Sequence, residues 1–189
     1  TPAAATSIQS YAFYDYDELT TLTISNNVTS SIGKSAFYSC DGLTDVTIGN
    51  GVTSIENAAF ENCVNLANVT IGKSVTKIGD YTFQKCRIKD IVIPNSVETI
   101  GRNAFLGCTS LSHAVIGNGV THIGSWAFRD CTNLTKVAVG TSIVQMGYET
   151  FLNCKNLNRV DITDLAAWCN ISFYGCYNYD HGWWESSAV

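Results

Sequence analysis

Apolar residues return along this chain at one nearly fixed spacing. Phe stands at 13, 37, 60, 83, 105, 128 and 151, at intervals of 24, 23, 23, 22, 23 and 23 residues. Three residues after each comes Tyr16, then Cys40, Cys63, Cys86, Cys108, Cys131 and Cys154. A third column runs Ile24, Ile48, Ile71, Ile93, Ile116, Val139 and Ile162. Columns that hold one period through most of the chain mark a repeat architecture. Within each unit the stretch Leu-x-x-Val-x-Ile alternates at its end, as in a half-buried strand. A Gly or Ser then marks the turn out of the strand, as at Gly49, Gly72 and Gly117. The segment Ala-Phe-x-x-Cys-x-x-Leu places apolar residues three apart, which predicts one or two helical turns.

Each unit is thus read as a strand, a turn, a short second extended piece and a helical turn. One such unit buries too little to fold alone, so neighbours must seal its faces and pair its strand edges. The expected fold is an α/β repeat solenoid, with a parallel sheet on one side and short helical turns on the other. Residues 1–163 are expected to form an array of about seven coils, and residues 164–189 a C-terminal cap. Two length changes fall between apolar columns. The first unit has one extra residue between Val28 and Ile32, and the fourth lacks one between Cys86 and Ile88.

The strand core Leu43-x-x-Val46-x-Ile48 resembles that of leucine-rich repeats. The whole unit, with Ile-Gly-x-x-Ala-Phe-x-x-Cys-x-x-Leu as in Ile32 to Leu43, resembles the BspA-like (Treponema-type) subfamily across residues 8 to 163. The resemblance implies a right-handed superhelix. It also implies a surface or secreted protein of a host-associated microbe whose business is binding, with no catalysis. The Asn ladder of other leucine-rich repeats is missing from its usual place eight residues after each Leu, where Asn27, Gly51, Ser74 and Ser96 stand. The turn must therefore be held differently.

Composition narrows the function. Charged residues are only 14% of the 189, against roughly 25% in an average globular protein, while apolar residues reach 46%, so the chain is not disordered. No run of about 18 apolar residues occurs, and no membrane insertion is expected. A net charge of -5 offers no basic stripe to neutralise phosphates, so no nucleic acid is expected either. Zinc-type cysteine pairs two to four residues apart are absent, which leaves no metal and no cofactor to predict. The cysteine column reads as buried free thiols acting as small apolar side chains. Stacked in register about 4.8 Å apart, their Cβ atoms lie beyond the roughly 3.5–4.5 Å of a disulfide. Cys169 and Cys176, outside the column, are left open as a bonded pair. His113 and His122 have no nucleophile at a recognisable spacing, and no catalytic residue is expected. Asp15, Asp17 and Glu18 are read as a solvated turn.

Binding is therefore sought on the strand side. Its first outward column is Thr21, Asp45, Asn68, Asp90, His113, Lys136 and Arg159, polar to acidic at one end and basic at the other. The second is Thr23, Thr47, Thr70, Val92, Val115, Ala138 and Asp161, a floor of small side chains. The candidate ligand-binding residues are Asp45, Asn68, Asp90, His113, Lys136, Arg159, Thr47 and Thr70. The expected partner is an extracellular host or matrix protein. The alternative is a carbohydrate-binding or spacer module in a larger secreted protein. Aromatics gather at the two ends, Tyr11, Tyr14 and Tyr16 at one and Tyr177, Trp183 and Trp184 at the other, where they are read as end caps. Ile8 enters the repeat with no polar cap before it. Upstream coils are expected there, with an end-to-end homodimer through the N-terminal coil as the second option.

Overall fold

The computed structural model describes residues 6–174, 177–178 and 182–183. Each coil contributes two parallel strands. The odd-numbered set forms one broad face: β1 (Thr21–Ile24), β3 (Asp45–Ile48), β5 (Asn68–Thr70), β7 (Asp90–Ile93), β9 (His113–Ile116), β11 (Lys136–Val139) and β13 (Arg159–Ile162). The even-numbered set is shorter: β2 (Ser31–Ile32), β4 (Ser54–Ile55), β6 (Lys77–Ile78), β8 (Thr99–Ile100), β10 (His122–Ile123), β12 (Gln145–Gly147) and β14 (Ser172–Tyr174). The short strands form a continuous seven-stranded parallel sheet, in the order β14-β12-β10-β8-β6-β4-β2. Ile8 adds a parallel bridge to Ile32 at its end. The parallel solenoid of about seven coils is as the repeat predicts.

Alternation puts the predicted columns on the predicted faces. In β7 and β9, Ile91, Ile93, Ala114 and Ile116 are buried, while Asp90, Val92, His113 and Val115 point to solvent. Within the coils, Phe37, Phe60, Phe83, Phe105 and Phe128 are fully buried. Their rings stack one on the next, with centroids 5.1, 5.5, 5.4 and 5.0 Å apart. Phe13 and Phe151 extend the ladder at its two ends.

The segments carrying Phe and Cys differ from expectation. They are chains of β-turns, and the one α-helix among the described residues is α1 (Leu165–Cys169). Alternate amides leave the coil instead of closing a helix. Ser35, Phe37 and Ser39 donate to the carbonyls of Asn57, Ala59 and Glu61 in the next coil, at 3.0, 2.8 and 2.8 Å. Two residues per coil take positive φ, such as Ser35 (51°) and Ser39 (52°), or Tyr81 (61°) and Lys85 (59°). A helix needs φ near −63°, whereas the third position of a type II turn needs φ above zero. A spacing of three suits either structure, so the pattern alone did not separate them.

The six column cysteines are free, and five of them are buried. They are more than apolar filler. Each thiol donates to the Phe carbonyl of the preceding coil, from Cys40 to Phe13 at 3.0 Å through Cys86 to Phe60 at 3.1 Å and Cys131 to Phe105 at 3.2 Å. Cys176 and the tail aromatics from Tyr177 onward, with the bond and capping roles considered for them, lie outside the residues whose side chains are described.

The turns after β1, β3, β7 and β9 are each held by an Asn two residues past the strand end. The backbone N–H of Asn50 donates to Asn26 Oδ1 (2.6 Å), that of Lys73 to Asn50 Oδ1 (2.8 Å), and that of Asn118 to Asn95 Oδ1 (2.9 Å). The ladder is interrupted at Lys73, whose side chain has no acceptor. At the C-terminal end, Asp164 caps α1 by accepting the Ala167 N–H at 2.9 Å. β14 then pairs with β12, so the stack continues through Tyr174. Beyond it, β15 (Tyr177–Asn178) and β16 (Gly182–Trp183) pair antiparallel.

One discontinuity interrupts the face of long strands. The long strands form two sheets, β1-β3-β5 and β7-β9-β11-β13, with no ladder between β5 and β7. The glycine column explains the break. A Cβ at Gly72 would lie 2.2 Å from the Gly49 carbonyl oxygen, and one at Gly140 2.3 Å from that of Gly117. Real Cβ atoms do not approach so closely, so coils stack tightly at this corner only through glycine. The fourth coil has Pro94 there, with a ring to accommodate and no N–H to give. The same coil is the one that lacks a residue before Ile88.

Candidate functional site

Parallel pairing sets the first outward column in a row. Thr21 lies beside Asp45 and Asp45 beside Asn68; across the break, Asp90 neighbours His113, His113 neighbours Lys136, and Lys136 neighbours Arg159. These side chains bond to one another and to the row beside them. Asp45 accepts from the Thr44 hydroxyl at 2.6 Å and from Asn68 at 2.7 Å, and both bonds, Thr44's first, hold its carboxyl below the usual range. Asp161, in the second row, takes Arg159 Nε at 2.7 Å and Lys136 Nζ at 3.0 Å. One carboxylate thus faces two cations, and the basic end of the predicted gradient carries less free charge than its residues suggest.

The sequence reading missed Ser112. Its hydroxyl lies 2.7 Å from Asp90 Oδ1 and 2.8 Å from His113 Nδ1, and His113 Nδ1 lies 2.7 Å from the same carboxylate oxygen. The Ser112 hydrogen bond is the main cause that keeps Asp90 ionised below the usual carboxylate range. Serine and carboxylate meet the same ring nitrogen here. A serine–histidine–aspartate relay needs them on opposite nitrogens. The cluster is a polar knot and lacks that geometry.

The second row forms the floor of a groove. It opens over the C-terminal ends of the long strands, from Val69 in the third coil to Thr163 in the seventh. Val92 is 63% exposed and Val115 43%, and Pro94 and Ala138 complete an aliphatic floor. Asn95, Ser96 and Asn118 form one rim with Lys73, and Asp90 lies on the other side. No aromatic side chain lines it. Of the eight predicted residues only Thr70 and Asp90 reach this groove; Asp45, Thr47, Asn68, His113, Lys136 and Arg159 lie elsewhere on the strand face. The overlooked residues are Lys73, Val92, Pro94 and Val115. The available signal was their departure from Asn50, Thr47 and Gly49, which hold the same columns in the second coil.

The remaining chemistry has structural partners. Trp126 donates to Glu149 Oε2 at 3.0 Å, and the Arg102 guanidinium lies 5.4 Å from its ring centroid. Asp17 Oδ1 accepts the Asp41 N–H at 2.9 Å. At the N-terminal end Phe13 stacks on Phe37 and Tyr14 on Tyr38, and both remain about half exposed, as are Tyr11 and Tyr16. Among the described residues, no group of three His, Cys, Asp or Glu side chains is arranged to hold a metal ion. No helix among them is long and apolar enough to cross a membrane.

Similarity to known proteins agrees with the repeat. The model of the BspA type leucine rich repeat region matches residues 6–87 and 76–181 in 6 copies. No curated protein matches the chain. A leucine-rich repeat protein from Bacteroides ovatus is 26% identical with a TM-score of 0.74, covering 82% of this chain and 40% of its own. The leucine-rich repeat protein of T. pallidum is 28% identical with a TM-score of 0.75, covering 88% and 77%. The pneumococcal vaccine antigen PcpA shares the fold at 17% identity and a TM-score of 0.56, covering 89% and 53%. This chain therefore spans about two fifths of the Bacteroides protein and about three quarters of the T. pallidum protein.

Proposed function

The chain belongs to the BspA-type leucine-rich-repeat family, and we propose that it is a non-catalytic binding module of a microbial cell-surface or secreted protein. Its ligand is a segment of an extracellular host or matrix protein, seated in the groove over the long strands. The observation that carries this reading is the groove's lining. An exposed aliphatic floor with hydrogen-bonding rims suits a polypeptide, whose side chains need apolar contact and whose backbone needs polar partners. Sugars favour aromatic platforms, and the groove has none. The carbohydrate alternative rests on exposed Tyr11, Tyr14 and Tyr16 at the other end of the molecule.

Immobilised matrix proteins and a glycan array, probed with wild type and a Val92→Asp, Val115→Asp variant, test the proposal. Binding to a matrix protein that falls at least tenfold in the variant supports it. Glycan binding unaffected by the variant and lost on Tyr14→Ala transfers the assignment to the carbohydrate reading. An end-to-end homodimer through the N-terminal coil belongs to the same proposal, supported by the half-exposed rings of Phe13 and Tyr14, and sedimentation of wild type against Phe13→Asp checks it.

A further inference from the structure

Five departures from the repeat meet at one place. Lys73 stands in the column that holds Asn26, Asn50, Asn95 and Asn118, and Pro94 in the column that holds Gly49, Gly72, Gly117 and Gly140. Val92 and Val115 replace the threonines of the first three coils. The link from Cys86 to Ile88 is one residue short, and the sheet parts beside it. Regular stacking explains none of these changes, and all but the short link line the groove directly.

The charges of the groove are equally specific. Lys73 is its one cation, and among the described residues no carboxylate pairs with it. Lys77 and Arg129 are matched within the array, by Glu56 and Glu149, whereas Lys34, Lys85 and Lys155 share with Lys73 the lack of an ion pair; what sets Lys73 apart is its place on the groove. The carboxylate that shares the groove, Asp90, is already engaged by Ser112 and His113. The unmet demand is an anion at Lys73 beside an aliphatic contact at Val92 and Val115.

We propose that the groove takes an extended peptide segment carrying a carboxylate for Lys73 and an aliphatic side chain for Val92 and Val115, one to three residues apart. This rests on the binding reading above and gives it a ligand class. The spacing follows from the coils. Lys73, Val92 and Val115 belong to the third, fourth and fifth, so anion and floor are roughly 5–10 Å apart, or about one to three residues of extended chain. The groove spans four coil spacings, roughly 19 Å, which about six extended residues fill. An uncommitted ammonium group gives orientation, and the two valines give apolar area.

A phage-displayed random heptapeptide library, selected on the full chain, tests this. Wild type is expected to enrich peptides with Asp or Glu one to three positions from Val, Ile or Leu. Lys73→Gln should lose the acidic preference and keep the aliphatic one, and Lys73→Glu should select Lys or Arg instead. A winning peptide should bind Lys73→Glu at least tenfold more weakly by fluorescence polarisation. All these positions are solvent-facing, and circular dichroism confirms that the variants remain folded. The same acidic motif recovered on Lys73→Glu, or enrichment without acids on wild type, overturns the ligand class and leaves the groove as a binding site. Equal enrichment on wild type and on Val92→Asp, Val115→Asp overturns both.

Discussion

The phenylalanine ladder and the floor of the groove are built on the same period, yet they respond to it in opposite ways. Along the ladder every described coil presents the same ring, and neighbouring centroids in the interior stay between 5.0 and 5.5 Å apart. Across the floor the residue changes from threonine to valine to alanine to aspartate. A ladder residue packs against copies of itself, so any one change leaves two mismatched neighbours. A floor residue faces outward and matches whatever lies outside. In a repeat array, uniformity therefore reports on folding, and departures on the exposed face report on function.

The largest test of that contrast removes a ring from mid-ladder. Phe83 is fully buried and stacks on both Phe60 and Phe105. Phe83→Ala should cost about 3–5 kcal/mol in urea unfolding, from lost burial and a cavity that both neighbours share. Thr47→Ala, on the outward face, should stay within about 0.5 kcal/mol. Similar losses from the two would erase the distinction.

A smaller effect is expected one position around the coil. Cys86 is 2% exposed and its thiol bonds to the Phe60 carbonyl at 3.1 Å. Cys86→Ala leaves a small void and a carbonyl short of one donor, for a loss of about 1–3 kcal/mol. The fully buried thiols of the column should also be chemically silent. Burial pushes the Cys108 thiol up to about 12 and raises its buried neighbour Cys86 too. Native protein treated with iodoacetamide at pH 8 should be alkylated at exposed Cys169, and at Cys86 and Cys108 only after unfolding. Peptide mass spectrometry separates the two classes.

These features divide what the sequence made legible from what it did not. The period, the long strands, the buried columns and the outward rows are all consequences of side-chain alternation, so they could be read from residue identity. The turns could not, because residues three apart fit a helix and a turn equally, and only the positive φ at Ser35 and Ser39 decides between them. The partners of Asp90 and of Lys136 lie in adjacent coils and adjacent rows, at Ser112 and Asp161. A search along single columns passes over them. The groove was hidden for a similar reason: Pro94, Lys73 and Val92 sit in three different columns and converge only when the coils are stacked.

Pro94 tests whether the break in the sheet is caused as argued. Pro94→Gly supplies an N–H and removes the ring, so the fourth coil can approach Gly72 as Gly117 approaches Pro94. Hydrogen exchange should slow at the amides of residues 91–93, which both proteins carry, as β5 and β7 pair. Net stability should move by less than about 1 kcal/mol, since the new bond is offset by the greater freedom of glycine when unfolded. If the exchange pattern is unchanged, the short link before Ile88 alone parts the sheet.

The smallest effect belongs to the exposed ion pairs, and pH separates it from the core. Asp161 is held below the usual carboxylate range first by the Arg159 hydrogen bond and then by Lys136. Its folded value lies below its unfolded one, so its contribution to stability is complete above the ordinary carboxylate value of about 3.9. The contribution fades as pH falls through the lower folded value. The melting temperatures of wild type and Asp161→Asn should accordingly differ by a small constant amount from pH 7 to about pH 5, then converge in more acidic solution. Added salt should shrink the difference at neutral pH, because the pair faces solvent and is screened. The deficit of Phe83→Ala rests on buried apolar contact and should survive both treatments. A salt-sensitive Phe83→Ala deficit, or an Asp161→Asn deficit that grows as the solution is acidified, would mean that the inner and outer faces of this solenoid are not stabilised by separate forces.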